Sequence, residues 1–224
     1  MAGPMRATDP FIFCSRLNLR ELTGLKAKNL CELVSLIKTV PGSVIYHHTH
    51  HFLQQHQYLI PEPPNDFAYW VEQALGYRDL AESLASVNTC EFGSIRALRD
   101  RIVSEIDEYL KHNPASREAN AGEEFYFIKS VSFVFKTPYE AYDLTEFGDI
   151  IKKVTIDSIY FHMYESRLRL EKGVNDFSNW IRDELAEEEL ADKIDRLDPY
   201  THTMEGLRRR LTGLVEVHAK RAAQ

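Results

Sequence analysis

The chain has 224 residues, 44% hydrophobic and 27% charged, which is enough apolar material for one large domain or two small ones. A net charge of −7 speaks against a general nucleic-acid binder, which needs surplus Lys and Arg to displace counterions from phosphates. No apolar run approaches the roughly 18 residues of a membrane span, and the opening MAGPMRATDP lacks the apolar core of a signal peptide.

Cys14, Cys31 and Cys90 are far apart and odd in number, which fits neither a disulfide framework nor a metal knuckle. The expectation is a cytoplasmic protein with a protein partner, and with no nucleic acid or membrane to bind.

Residues 1–10 read as an N-terminal tail. Alternating apolar positions at Phe11 and Phe13, then at Leu17 and Leu19, predict two short strands. A helix follows with Leu30, Leu33, Val34, Ile37 and Val40 on one face, stopped by Pro41-Gly42. Next comes SVIYHHTHHFL (Ser43–Leu53), which could be a strand by its SVIY start but whose length and Leu53 end favour a second helix, and which places four histidines in five positions.

The stiff loop Pro61-Glu-Pro-Pro64 leads to NDFAYW, where Asp66 stands as a candidate N-cap for a helix carrying Trp70. Ser94 caps a final amphipathic helix, and the polar residues 111–124 read as a linker.

After the linker the chain repeats itself. A shift of 114 places pairs Phe11 with Phe125, Phe13 with Phe127, Leu30 with Leu144, Ile37 with Ile151 and Val40 with Val154. One place more lays SVIYHHTHHFL on SIYFHMYESRL (Ser158–Leu168), with His47 on His162. NDFAYW (Asn65–Trp70) then matches NDFSNW (Asn175–Trp180), with Asp176 as the second candidate cap, and Ser94 matches Thr203. The reading is an internal duplication: repeat 1 over residues 11–110, repeat 2 over 125–218 and a C-terminal tail over 219–224. The expected fold is α+β and mainly helical, two tandem repeats about a pseudo-two-fold, with short strands pairing into one small sheet.

The SIYxH-type segments at Ser43–His47 and Ser158–His162, with NDFxxW at Asn65–Trp70 and Asn175–Trp180, resemble a bacterial family of uncharacterised proteins built from two such units. The resemblance covers nearly the whole chain. It implies the two-unit architecture and carries no activity.

On a helix, His47 and His50 project to one face, and their counterparts at a shift of 115 are His162 and Glu165. If the repeat axis brings these together, His47, His50, His162 and Glu165 form a four-ligand metal set that would suit Zn, Mn or Fe. The structural alternative is a buried imidazole in each repeat bonded to a carboxylate, with Asp66 and Asp176 as partners and with His48 and His51 on the surface.

Three features read as solvated surface: Arg208-Arg209-Arg210, the acidic run Glu187–Glu189, and the Arg167/Arg169 pair. No phosphate loop, dinucleotide fingerprint, HExxH, nucleophile elbow or CxxC is present. The leading functional expectation is an intracellular non-enzymatic interaction or regulatory module, and the alternative is a metal-binding protein or metalloenzyme using the His/Glu set.

Overall fold

A computed structural model describes residues 5–55, 65–113, 116–166, 174–197 and 203–222. The fold is α+β and mainly helical, as the periodicity predicts, with a sheet of two strands, β1 (Phe11–Ala27) and β2 (Phe125–Ala141). Each half of the chain contributes one strand of 17 residues where two short ones are expected. The physical reason lies in parity: Phe11, Phe13, Ser15, Leu17 and Leu19 keep one alternation, so nothing breaks the extended backbone.

The strands run antiparallel. Lys129 reaches Glu21 and Ser132 reaches Asn18, which sets residues whose numbers sum to 150 opposite one another. Two devices bend or blunt this ribbon. Gly24 adopts φ +76°, open to glycine and strained for other residues. Pro138 sits at an even-numbered position of β2. Even-numbered residues such as Ile128 and Cys14 turn their amides away from the partner strand, so the missing N–H costs no ladder bond.

Helices follow each strand. After β1 come α1 (Leu30–Thr39), α2 (Gly42–Gln55), α3 (Asp66–Gln73), α4 (Arg78–Ala85) and α5 (Ile95–His112). After β2 come α6 (Leu144–Ile151) and α7 (Ile156–Tyr160), the latter running on into a π-helical turn at Phe161–Glu165. Then follow α8 (Asp176–Leu185), α9 (Glu188–Asp195) and α10 (Met204–Ala222). Among the described residues, no helix is long and apolar enough to cross a membrane.

Local chemistry explains where the helices start and stop. Asn29 accepts the Glu32 amide while the Glu32 carboxylate reaches back to the Lys28 N–H, a reciprocal cap. Asp143 and Glu146 do the same for α6, reaching back to Tyr142. At the far ends of these helices an arginine from the last helix of each half closes orphan carbonyls. Arg99 donates to Val40 O at 2.6 Å, and Arg208 to Val154 O at 2.8 Å and Ile151 O at 3.1 Å. Arg208 is thus a capping residue, whereas its neighbours Arg209 and Arg210 are exposed as expected. Gly148 lets α6 approach α10 closely, since a Cβ there would lie 3.2 Å from Val215 Cγ1.

The described chain divides into two compact units. One, called the Trp180 unit, holds residues up to 17 and from 133 onward. The other, the Trp70 unit, holds residues 18–55 and those from 65 to 132. The division falls inside both strands, so sequence segments and compact units are cut at different places. The aromatic start of β1 packs with helices of the second half: Phe11 and Phe13 touch Phe147 and Phe177, and Phe11 meets Trp180. The aromatic start of β2 packs with helices of the first half, Phe125 meeting Phe67 and Trp70. Residues 116–123, part of the sequence-defined linker, lie along the Trp70 unit, with Arg117 donating to Leu75 O and Gly76 O. The opening tail is also engaged, Thr8 and Asp9 amides both bonding Glu184 in the Trp180 unit.

A candidate site built on two histidine–aspartate pairs

Each unit centres on a buried histidine that bridges a strand and a helix. In the Trp180 unit, His162 Nε2 accepts the Cys14 amide of β1 at 2.8 Å and Nδ1 faces Asp176 Oδ2 at 2.8 Å. In the Trp70 unit, His48 Nε2 accepts the Ile128 amide of β2 at 3.0 Å and Nδ1 faces Asp66 Oδ2 at 2.8 Å. Both rings are buried, 3% and 2% exposed, among phenylalanine side chains. A backbone N–H can only donate, so each Nε2 is the acceptor and each Nδ1 carries the proton given to the carboxylate. An unmet amide inside this apolar shell would cost about 1–3 kcal/mol.

The matching histidine is His48, one place beyond the His47 that the segment identities align with His162. The shift of 114 continues into the helix. Val44 N–H bonds Pro41 O and Ser158 N–H bonds Thr155 O, so both helices start in the same register. Ser43 and Leu53, which match Ser158 and Leu168 at a shift of 115, draw the alignment one residue off that register, whereas Ile45 and Tyr46 match Ile159 and Tyr160 within it. His48 is therefore an interior residue, contrary to the expectation of a surface one.

The candidate caps also move by one. Asn65 and Asn175 are the N-caps, accepting the Ala68 and Ser178 amides at 2.9 Å in each case. Asp66 and Asp176 are the first helical residues, which turns their carboxylates to the histidines. The capping role passes to Asn because Asp at the next position is already engaged across the fold. The repeated Asn-Asp pair in NDFxxW is the signal by which this could have been found.

The tryptophans add a further main-chain bond in each unit. Trp180 Nε1 donates to Asp9 O at 2.9 Å and Trp70 Nε1 to Glu123 O at 2.7 Å. Thr137 holds Phe13 O, and Thr23 holds Phe127 O, each at 2.7 Å. Every one of these groups grips main chain, so each aromatic strand start is fixed without regard to most of its side chains.

Of the four residues expected to share a metal, His47 and His50 belong to the Trp70 unit, His162 and Glu165 to the Trp180 unit. His50 Nδ1 lies 2.8 Å from Thr49 Oγ1 and its ring stacks on Tyr46. Glu165 forms an ion pair with the buried Arg16, whose guanidinium lies over the Tyr160 ring at 4.7 Å. Among the described residues, one group has metal-ligand types close together: His47, His48 and Asp66, with donor atoms within 4.8 Å of one another. The His48 Nε2 lone pair is spent on Ile128 and its Nδ1 proton on Asp66, so His48 could bind a metal only by releasing one of them. The His51 side chain, the Pro61–Pro64 loop and the Arg167/Arg169 pair lie outside the described residues.

Against known proteins, a model of the "Family of unknown function (DUF5752)" matches residues 8–216. Among solved structures, OrfY from Thermoproteus tenax is similar at 30% identity and a TM-score of 0.82, over 95% of this chain and 96% of that one. No curated protein matches. The expectation of an uncharacterised family is met.

Proposed function

Because the chain belongs to DUF5752, a family of unknown function, its role has to be read from its own residues, and we propose a non-enzymatic interaction or regulatory module, built by internal duplication and working inside the cell. The observation that carries this reading is the use of His48 and His162. Each spends both ring nitrogens on a strand amide and an aspartate of the same chain. A general base needs a nitrogen that can meet a substrate proton, and these two have none to offer while the strands stay seated.

A surface suited to partners supports the same reading. Leu17, Phe133 and Phe135, all odd-numbered and so on one face of the ribbon, stand exposed within the Trp180 unit. A contiguous apolar patch held in water marks a contact surface more often than scattered side chains do.

The second reading, metal binding, is favoured by the closeness of His47, His48 and Asp66. Calorimetric titration of the tag-free protein with Zn²⁺ and Mn²⁺, joined to elemental analysis, separates the two. The interaction reading expects no stoichiometric metal. Tight binding that disappears in His47→Ala and Asp66→Asn would replace it with the second. Loss in His50→Ala and Glu165→Ala as well would restore the wider set drawn from the sequence.

A further inference from the structure

We propose that the aromatic start of β1 is an exchangeable element: the seat that holds Phe11 and Phe13 can take the same segment from a second copy of the chain, so that each copy completes the other. The proposal rests on the reading of the protein as an interaction module and names its partner.

The seat lies wholly within the Trp180 unit. Trp180 holds Asp9 O, His162 holds the Cys14 amide, Ser158 holds Cys14 O, and Thr137 holds Phe13 O. Glu184 takes the Thr8 and Asp9 amides, and the Phe11 and Phe13 rings sit against Phe147 and Phe177. These are the elements of strand recognition: main-chain bonds for affinity and pockets for alternate side chains. None of them depends on which copy supplies the segment.

The unit boundary follows the seat directly: the unit ends at Leu17, and Asn18 already belongs to the Trp70 unit.

The crossing point carries its own signal. Leu17 is 63% and Leu19 58% exposed, flanking the place where the strand passes from one unit to the next. In a reciprocal exchange the two copies' Leu17–Leu19 segments run past each other, and each covers the leucines of the other. Closed and exchanged forms make the same seat contacts, so concentration and the hinge decide between them.

The test uses the full chain. Isotope-labelled and unlabelled protein are mixed at high concentration and warmed below the melting transition. Aliquots are then read over time by native mass spectrometry and sedimentation. Exchange requires the segment to leave its seat, so mixed-label dimers should form slowly, grow with concentration and persist after dilution in the cold. His162→Ala, which loosens the seat, should form them several-fold faster, and should this variant fail to fold, the wild-type time course decides alone. A chain that stays monomeric at every concentration overturns the proposal. So does a dimer that forms within the mixing time and dissociates at once on dilution. That second outcome would keep the interaction reading and move its contact to the exposed strand surface, whereas stoichiometric metal in the separate titration would overturn that reading itself.

Discussion

The Trp180 and Trp70 units grip their strands with the same four groups: a tryptophan N–H, a histidine Nε2, an aspartate behind the histidine and a threonine from the facing strand. Around that shared frame they differ. The Trp180 unit adds an ion pair between buried Arg16 and half-buried Glu165, a π-helical turn and a Ser158 bond to Cys14 O. The Trp70 unit instead carries His47 and His50 on the helix of His48, and its Asp66 side chain is 45% exposed against 16% for Asp176. The frame is what folding needs in both places. The surroundings are where the two units are free to differ in what they do, and the π-helical turn, a feature often found at functional sites, belongs to only one of them.

The sharpest way to break this comparison is to remove the tryptophans. Trp70 and Trp180 are 7% and 8% exposed, so Trp70→Ala and Trp180→Ala should each cost about 3–5 kcal/mol in chemical denaturation. A loss below about 1 kcal/mol in either would show that its indole is no core residue.

Next in size are the histidines. His48→Ala and His162→Ala strand a buried amide and should each cost about 1–3 kcal/mol. The His162 variant should lose more, because Asp176 is the harder of the two carboxylates to rehydrate. Equal losses, measured on the same denaturation curves, would mean that carboxylate exposure does not matter here. Hydrogen exchange gives a finer check: the Cys14 amide should lose protection in one variant and the Ile128 amide in the other.

The caps come third. Asn65→Ala and Asn175→Ala should cost about 0.5–2 kcal/mol. The Asn175 side-chain amide also donates to the Asp195 carboxylate at 2.8 Å, where that of Asn65 donates to the Leu84 carbonyl at 3.0 Å. Charge-assisted bonds are the stronger kind, so thermal melts should rank Asn175→Ala as the more damaging.

The smallest effect is electrostatic and confined to the Trp70 unit. The Lys26 ammonium, with backbone amides including that of Gly122, pulls the Glu124 carboxyl down from 4.5 to about 2. A lowered carboxylate stabilises the fold fully above its unfolded value, and that contribution fades as the pH falls from about 4.5 towards 2. Glu124→Gln should therefore flatten the acid limb of the stability curve slightly while leaving neutral pH almost unchanged. An identical acid limb in variant and wild type would remove this pair from the account.

Much of this architecture is legible in the residues. The heptad-like spacing of Leu30, Leu33, Val34 and Ile37, and of Leu144, Phe147, Ile150 and Ile151, marks helices whose faces are buried in the structure. Ser94 and Thr203 cap the last helices as their hydroxyls suggest. The NDFxxW segments announce helices that bury a tryptophan. All of these are local: a cap, a face or an alternation is decided within a turn or two, and the chain carries that information in neighbouring letters.

What only tertiary structure decided has the opposite character. Which helices receive Phe11 and Phe13 depends on β1 pairing with a strand over a hundred residues away, and no local spacing encodes that choice. Whether His47 or His48 faces the aspartate depends on where α2 starts, a difference of one residue that turns a side chain by about 100° around the axis. The start is set by the bond from Val44 to Pro41 O, which matching letters do not reveal. The sequence by itself therefore determined the elements and the residue types at their junctions. The closing of long loops and the burial of a few polar atoms decided which elements meet, because those energies arise only once distant parts of the chain share one interior.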